Sequence, residues 1–168
     1  MVGSISTLKL AQLGQSMAYW LFKTEPDTFS IDTLKQQKVS PWEGVRNYQA
    51  RNMLRDEIKC GDQVLIYHSS CKEIGVVGIA NVVKEAYPDH FQFEPTSAYY
   101  DPKATPANPP WVMVDIKYQQ HLRLVSLARM KKVPELAEMP LVKRGNRLSV
   151  MPVTAAQWQQ ILVMTGQF

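Results

Sequence analysis

Cysteine is scarce in this chain of 168 residues: Cys60 and Cys71 are the two present, eleven positions apart and outside any C-x-x-C. Two such cysteines do not make a secreted disulfide framework, and a reduced, cytoplasmic setting is expected. The three histidines, His68, His90 and His121, show no metal-ligand spacing, so neither a metal nor any other cofactor is expected. No apolar run approaches the roughly 18 residues that span a bilayer, which excludes a membrane helix. Walker A, G-x-G-x-x-G, G-x-S-x-G and H-E-x-x-H patterns are all missing. Charge of one sign is nearly balanced as well, with 19 basic against 15 acidic residues and a formal net charge of +4. That permits a polyanionic partner without requiring one.

What is present is a globular composition, 45% hydrophobic and 20% charged. Residues 1–16 lack the continuous apolar stretch of a signal peptide and are expected to be an N-terminal extension outside the core. Residues 17–168 are expected to form a single domain. Ala18–Lys23 reads as a strand closed by Thr24-Glu25-Pro26. Ser30 and Asn47 read as caps of two helices, the second carrying Ala50, Met53, Leu54 and Ile58 at helical spacing. Gln63–Ser69 and Gly75–Lys84 are rich in Val and Ile and predict a hairpin. Residues 86–110 hold six prolines and read as a long ordered loop.

Trp111–Val125 resumes a strand, and Ser126 caps a short helix. A further helix is expected from Pro134 to Pro140, then a last strand over Leu148–Val153 and a helix capped by Thr154. Strand, two helices, then mostly strands with short helices inserted: this order predicts an α+β domain on a curved or barrel-like sheet.

Three clusters carry candidate chemistry. Tyr19-Trp20 stands with Lys23-Thr24 on the first strand. Trp42-Glu43-Gly44-Val45-Arg46-Asn47-Tyr48 places an indole on a loop before a helix start. Tyr67-His68-Ser69 ends a strand. An aromatic face beside amide and hydroxyl groups is what a pocket needs to stack a nucleobase and read its edge. Each cluster also has a packing reading: a strand-borne Trp20 belongs to a core as readily as to a pocket floor. Arg129–Arg147 holds six basic and two acidic residues, so the whole net charge of the chain sits there. Its turn Lys143-Arg144-Gly145-Asn146-Arg147 suits phosphate oxygens, or is simply a solvated face.

Taken in order, these segments resemble the EVE domain family. The residues that carry the resemblance are Tyr19-Trp20-Leu21-Phe22-Lys23-Thr24-Glu25-Pro26 and Trp42-Glu43-Gly44-Val45-Arg46-Asn47-Tyr48-Gln49-Ala50-Arg51-Asn52. Tyr67-His68-Ser69, Gly75–Ala80, Tyr99-Tyr100-Asp101-Pro102, Pro110–Asp115 and Arg147–Val153 continue it in collinear order. The resemblance implies a PUA-like fold, a β pseudo-barrel with short helices capping its openings. It also implies a reader of modified bases in DNA or RNA rather than a catalyst.

On that reading Trp42 stacks on the base, Trp20 lines the cage floor, and Lys23 and Thr24 border it. Asn47 supplies an amide, the backbone around Val45 and Arg46 offers N–H donors, and Tyr67, His68 and Ser69 close the opposite wall. Lys143, Arg144 and Arg147 are the expected phosphate contacts. No membrane contact is expected, and the protein is expected to be a monomer or weak dimer. Two other readings compete: an enzyme acting on a nucleotide or nucleic acid, with His68 as acid–base and Cys71 or Ser69 as nucleophile, and a protein-interaction module with a basic face.

Overall fold

Trp20-Leu21-Phe22 and Val64-Leu65-Ile66-Tyr67 are buried at every position rather than at alternate ones. A strand with that pattern has both faces covered. The computed structural model describes residues 17–168 and shows what covers them. The strands are β1 (Tyr19–Thr24), β2 (Val39–Pro41), β3 (Gln63–His68), β4 (Gly75–Pro88), β5 (Val112–Ser126) and β6 (Val150–Val153). The helices are α1 (Ile31–Gln37), α2 (Tyr48–Asp56), α3 (Leu127–Met130) and α4 (Ala155–Met164).

On one face Trp20, Phe22, Val64 and Ile66 pack with Ile31 and Leu34 of α1 and Ala50 and Leu54 of α2. On the other, Leu21, Leu65 and Tyr67 meet Met130, Leu136, Met139, and Trp158 and Ile161 of α4. Gly78 on β4 lets α1 approach, since a β-carbon there would stand 2.5 Å from Ile31 Cδ1.

The strands form one sheet in the order β2-β5-β4-β3-β1-β6. β1 and β3 are parallel and every other pair is antiparallel. Four register shifts between β4 and β5 bend this long pair. The fold is α+β as expected. Its hydrogen-bonded ladder ends at β2 and β6 without closing, so the sheet itself is open.

The helix starts follow their capping residues. Ser30, Asn47 and Ser126 side chains accept from Thr33, Ala50 and Arg129 N–H, and Thr154 forms a capping box with Gln157. Three expectations need correction. β2 falls in a segment for which no element was expected. β4 runs on to Pro88, which shortens the following loop. The helix expected from Pro134 to Pro140 is instead two 3-10 turns, Pro134–Leu136 and Pro140–Val142, each opening on its proline. The expectation for residues 1–16 lies outside the described residues. Among those described, no helix is long and apolar enough to cross a membrane, and both cysteines are free thiols.

Candidate functional site

A cavity of about 350 Å³ opens where β1 ends. Lys23, Thr24 and Glu25 form one side, continued by Thr28 and Phe29 on the way to α1. The five residues Pro41–Val45 leaving β2 form the facing wall, and Tyr99 and Ser149 complete it. Short bonds tie these segments together. Lys23 N–H donates to Ser149 O at 2.8 Å, Thr24 Oγ1 donates to Phe29 O at 2.7 Å, and Trp42 N–H donates to Val114 O at 2.7 Å. Trp42 is 7% exposed, its ring packed against Phe22 and edge-on to Phe29 at centroid distances of 5.4 and 5.7 Å. Most of the indole is thus core, and a portion of it reaches the cavity.

A buried carboxylate holds the facing wall in shape. Asp89 is fully buried and accepts from Gly44 N–H (2.9 Å), Phe91 N–H (2.9 Å) and Arg46 Nη1 (3.0 Å). Arg46 also donates through Nε and Nη2 to Tyr99 O, at 3.0 and 2.9 Å. One guanidinium therefore joins the wall after β2 to the long loop that supplies Tyr99, a fork that lysine cannot reproduce.

Two ionisable groups in the lining are moved toward their neutral forms. Burial pushes the Glu43 carboxyl up; its own backbone N–H opposes this, Asp89 adds to it and His90 opposes it. Burial likewise lowers the Lys23 ammonium. A lining of aromatic rings and backbone groups suits a planar ligand.

Of the residues expected at the site, Lys23, Thr24, Trp42 and Val45 are brought together at this cavity. The others go elsewhere. Trp20 is not a cage floor: it is 4% exposed in the core, with Nε1 donating to Asp62 Oδ2 at 2.9 Å. Arg46 is spent on Asp89 and Tyr99, and Asn47 on capping α2 through Ala50 N–H at 3.0 Å.

Tyr67, His68 and Ser69 do not form the opposite wall. Tyr67 faces the second core with Leu65, 2% exposed, and burial pushes its phenol up to about 12. His68 and Cys71 border a separate depression with Asp32 and His121. His68 Nε2 accepts the Ile31 N–H at 3.1 Å, and burial lowers its pKa. Nε2 is engaged in that bond, so it is not free to take a proton from Cys71 or Ser69. Ser69 N–H donates to Thr24 O at 3.0 Å.

Lys143 and Arg144 border a third depression, where Lys143 Nζ pairs with Glu138 Oε2 at 3.1 Å. Arg147 is exposed, two residues before the cavity's Ser149. Sequence reasoning missed Phe29, Glu43, Tyr99 and Ser149 as lining residues. Tyr99 stood inside a quoted motif, but nothing local to it points to a partner more than fifty positions away.

The family model for the EVE domain matches residues 18–164. The chain belongs to the EVE domain family. This EVE domain is 41% identical over 165 residues to human thymocyte nuclear protein 1, spanning 86% of this chain and 72% of that protein. It resembles the crystal structure of a Pseudomonas syringae protein with a TM-score of 0.86 and 48% identity, covering 88% of this chain and 99% of that one. The structure of human THYN1 protein in complex with DNA containing 5-methylcytosine superposes with a TM-score of 0.85 at 39% identity. That match covers 90% of this chain and 99% of the other.

Proposed function

We propose that this EVE domain is a non-catalytic reader of a modified base in DNA, with 5-methylcytosine the first candidate. The observation that carries this is the cavity itself. Trp42, Phe29 and Tyr99 give it aromatic walls, the backbone of residues 43–45 borders it, and two of its ionisable lining groups, Lys23 and Glu43, are shifted by burial toward their neutral forms. The complex formed by the human relative with 5-methylcytosine DNA supports the same reading. Taking a base out of a duplex costs a few kcal/mol and one aromatic stack returns about 1–3 kcal/mol, so a lone nucleoside binds weakly and flanking contacts supply the rest. The basic turn Lys143, Arg144 and Arg147 is the proposed source of phosphate contacts.

The proposal includes four further expectations: one domain over 17–168, helices over the openings of a pseudo-barrel, a monomer or weak dimer, and a cytoplasmic location. The helices packed on both sheet faces support the second.

The decisive experiment uses oligonucleotides identical except for one base: cytosine, 5-methylcytosine or thymine. Thymine carries the same 5-methyl group, so a reader must also sense the amino group at position 4. Tighter binding of the 5-methylcytosine strand, recovered intact, is expected. Chemical conversion of the strand would favour the enzyme reading. Absence of any nucleic-acid binding would favour the protein-interaction reading.

A further inference from the structure

From the cavity wall outward, aromatic rings and guanidinium groups form a continuous row. Arg46 Cζ stands 5.5 Å from the Tyr99 centroid and 5.4 Å from that of Trp111. Trp111 and Tyr48 have centroids 4.8 Å apart at 30°, and Arg51 Cζ stands 5.0 Å from the Tyr48 ring. Tyr99 is a wall of the cavity, so the row starts at the site and ends on the surface.

Its inner members are accounted for by packing. Trp111 is 6% exposed with Nε1 on Asp101 Oδ2, and Arg46 is paired to Asp89. The outer two are not. Tyr48, at the first position of α2, is 59% exposed, and its ring is oriented by contacts with Trp111 and Arg51. Arg51 donates to Pro110 O (2.7 Å) and Asn52 Oδ1 (2.9 Å), both neutral acceptors, and meets no carboxylate among the described residues. The carboxylate that feels its charge, Asp56, is itself paired to Arg55 Nε at 2.8 Å. An exposed, oriented ring beside a guanidinium that makes no salt bridge among the described residues is a stacking platform with a phosphate contact. An acidic peptide would meet the charge but offers no planar face to the ring.

We propose that Tyr48 and Arg51 form a second subsite, for the nucleotide next to the captured base. The base of that nucleotide stacks on Tyr48, and Arg51 takes the phosphate joining the two. This rests on the base-reading cavity and extends the bound strand along the row that leaves it.

The test measures binding of the full chain to free 5-methyl-2′-deoxycytidine and to short single strands centred on cytosine or 5-methylcytosine. Tyr48→Ala is expected to weaken both strands by about fivefold to 100-fold, to leave the nucleoside unaffected, and to be rescued by Tyr48→Phe. Arg51→Gln is expected to weaken both strands and to reduce the log–log salt slope by about 0.7. Strand binding unchanged in Tyr48→Ala would overturn the subsite. So would an equal loss for nucleoside and strand, because the residue would then act by shaping the cavity. Wild-type protein that takes neither ligand overturns the base reading itself, and the subsite with it, before any variant is made.

Discussion

Gly44 lies against the ring of Tyr99, so close that a β-carbon on it would stand 2.5 Å from Cζ. Its φ of +87° is also one that side chains disfavour. The glycine thus lets the wall after β2 touch the long loop across the cavity. Gly44→Ala is expected to cost about 1–3 kcal/mol of stability, from backbone strain and the displaced ring. Thermal unfolding reads this directly. Base binding is expected to fall as well, because Tyr99 cannot keep its place. A variant with unchanged melting and unchanged binding would mean that the contact has slack.

Much of the fold was legible because its signals are local. Ser30, Asn47, Ser126 and Thr154 each cap the helix that follows them, and the apolar runs at 19–24 and 63–68 are strands. β2 was not legible, since three residues ending in proline carry no periodicity of their own; the ladder with Asp115–Lys117 makes them a strand.

The site divides in the same way. Trp42 and Val45 announced themselves beside a glycine-containing break. Tyr99 and Ser149 reach the cavity through long-range bonds, Arg46 to Tyr99 O and Lys23 N–H to Ser149 O, which leave no local trace, whereas Phe29 is placed by the turn after β1. Tyr67 misled for a simpler reason. Its strand is buried on both faces, so an aromatic at its end reads equally as wall or core, and the alternation with Ile66 turns it to the second core.

The two tryptophans of the early segments should respond differently. Trp20→Phe removes the N–H that Asp62 accepts, and about 1–3 kcal/mol of stability with it, while base binding per folded molecule stays at the wild-type level. Trp42→Phe keeps most of the core contacts with Phe22 and Phe29 but shrinks the ring at the cavity, so the preference for the modified base should drop. Truncation of Trp42 to alanine is a poor probe, since emptying a buried tryptophan site costs about 3–5 kcal/mol. Binding and melting measured on the same samples separate the two roles. If Trp20→Phe loses the base preference and Trp42→Phe keeps it, the site has been placed on the wrong indole.

The basic turn acts without regard to base identity if it contacts phosphate. Arg144→Ala and Arg147→Ala should each weaken modified and unmodified duplexes alike and reduce the log–log salt slope by about 0.9. Both residues are exposed, so stability should barely change. Titrations at several salt concentrations check this. Unchanged affinity and slope in both variants would leave the turn as a solvated face.

Glu43 gives a prediction whose sign follows from its surroundings. Burial, aided by Asp89, raises its carboxyl above the ordinary glutamate value, against its own backbone N–H and His90. The native state therefore holds the proton more tightly than the unfolded chain. The stability that Glu43 contributes is full below the ordinary glutamate range and is lost as pH rises through the raised value. At neutral pH the half-buried carboxylate works against folding. Glu43→Gln keeps the shape and removes the charge, so the variant should melt at a higher temperature than wild type at neutral pH. The gap should close as the pH falls below the ordinary glutamate range. Asp89, His90 and Tyr87, which surround the group, are present in both proteins, so the difference between the two melting curves isolates Glu43. A variant less stable at neutral pH, by an amount that does not vary with pH, would show that the carboxylate makes favourable contacts its neutral substitute cannot.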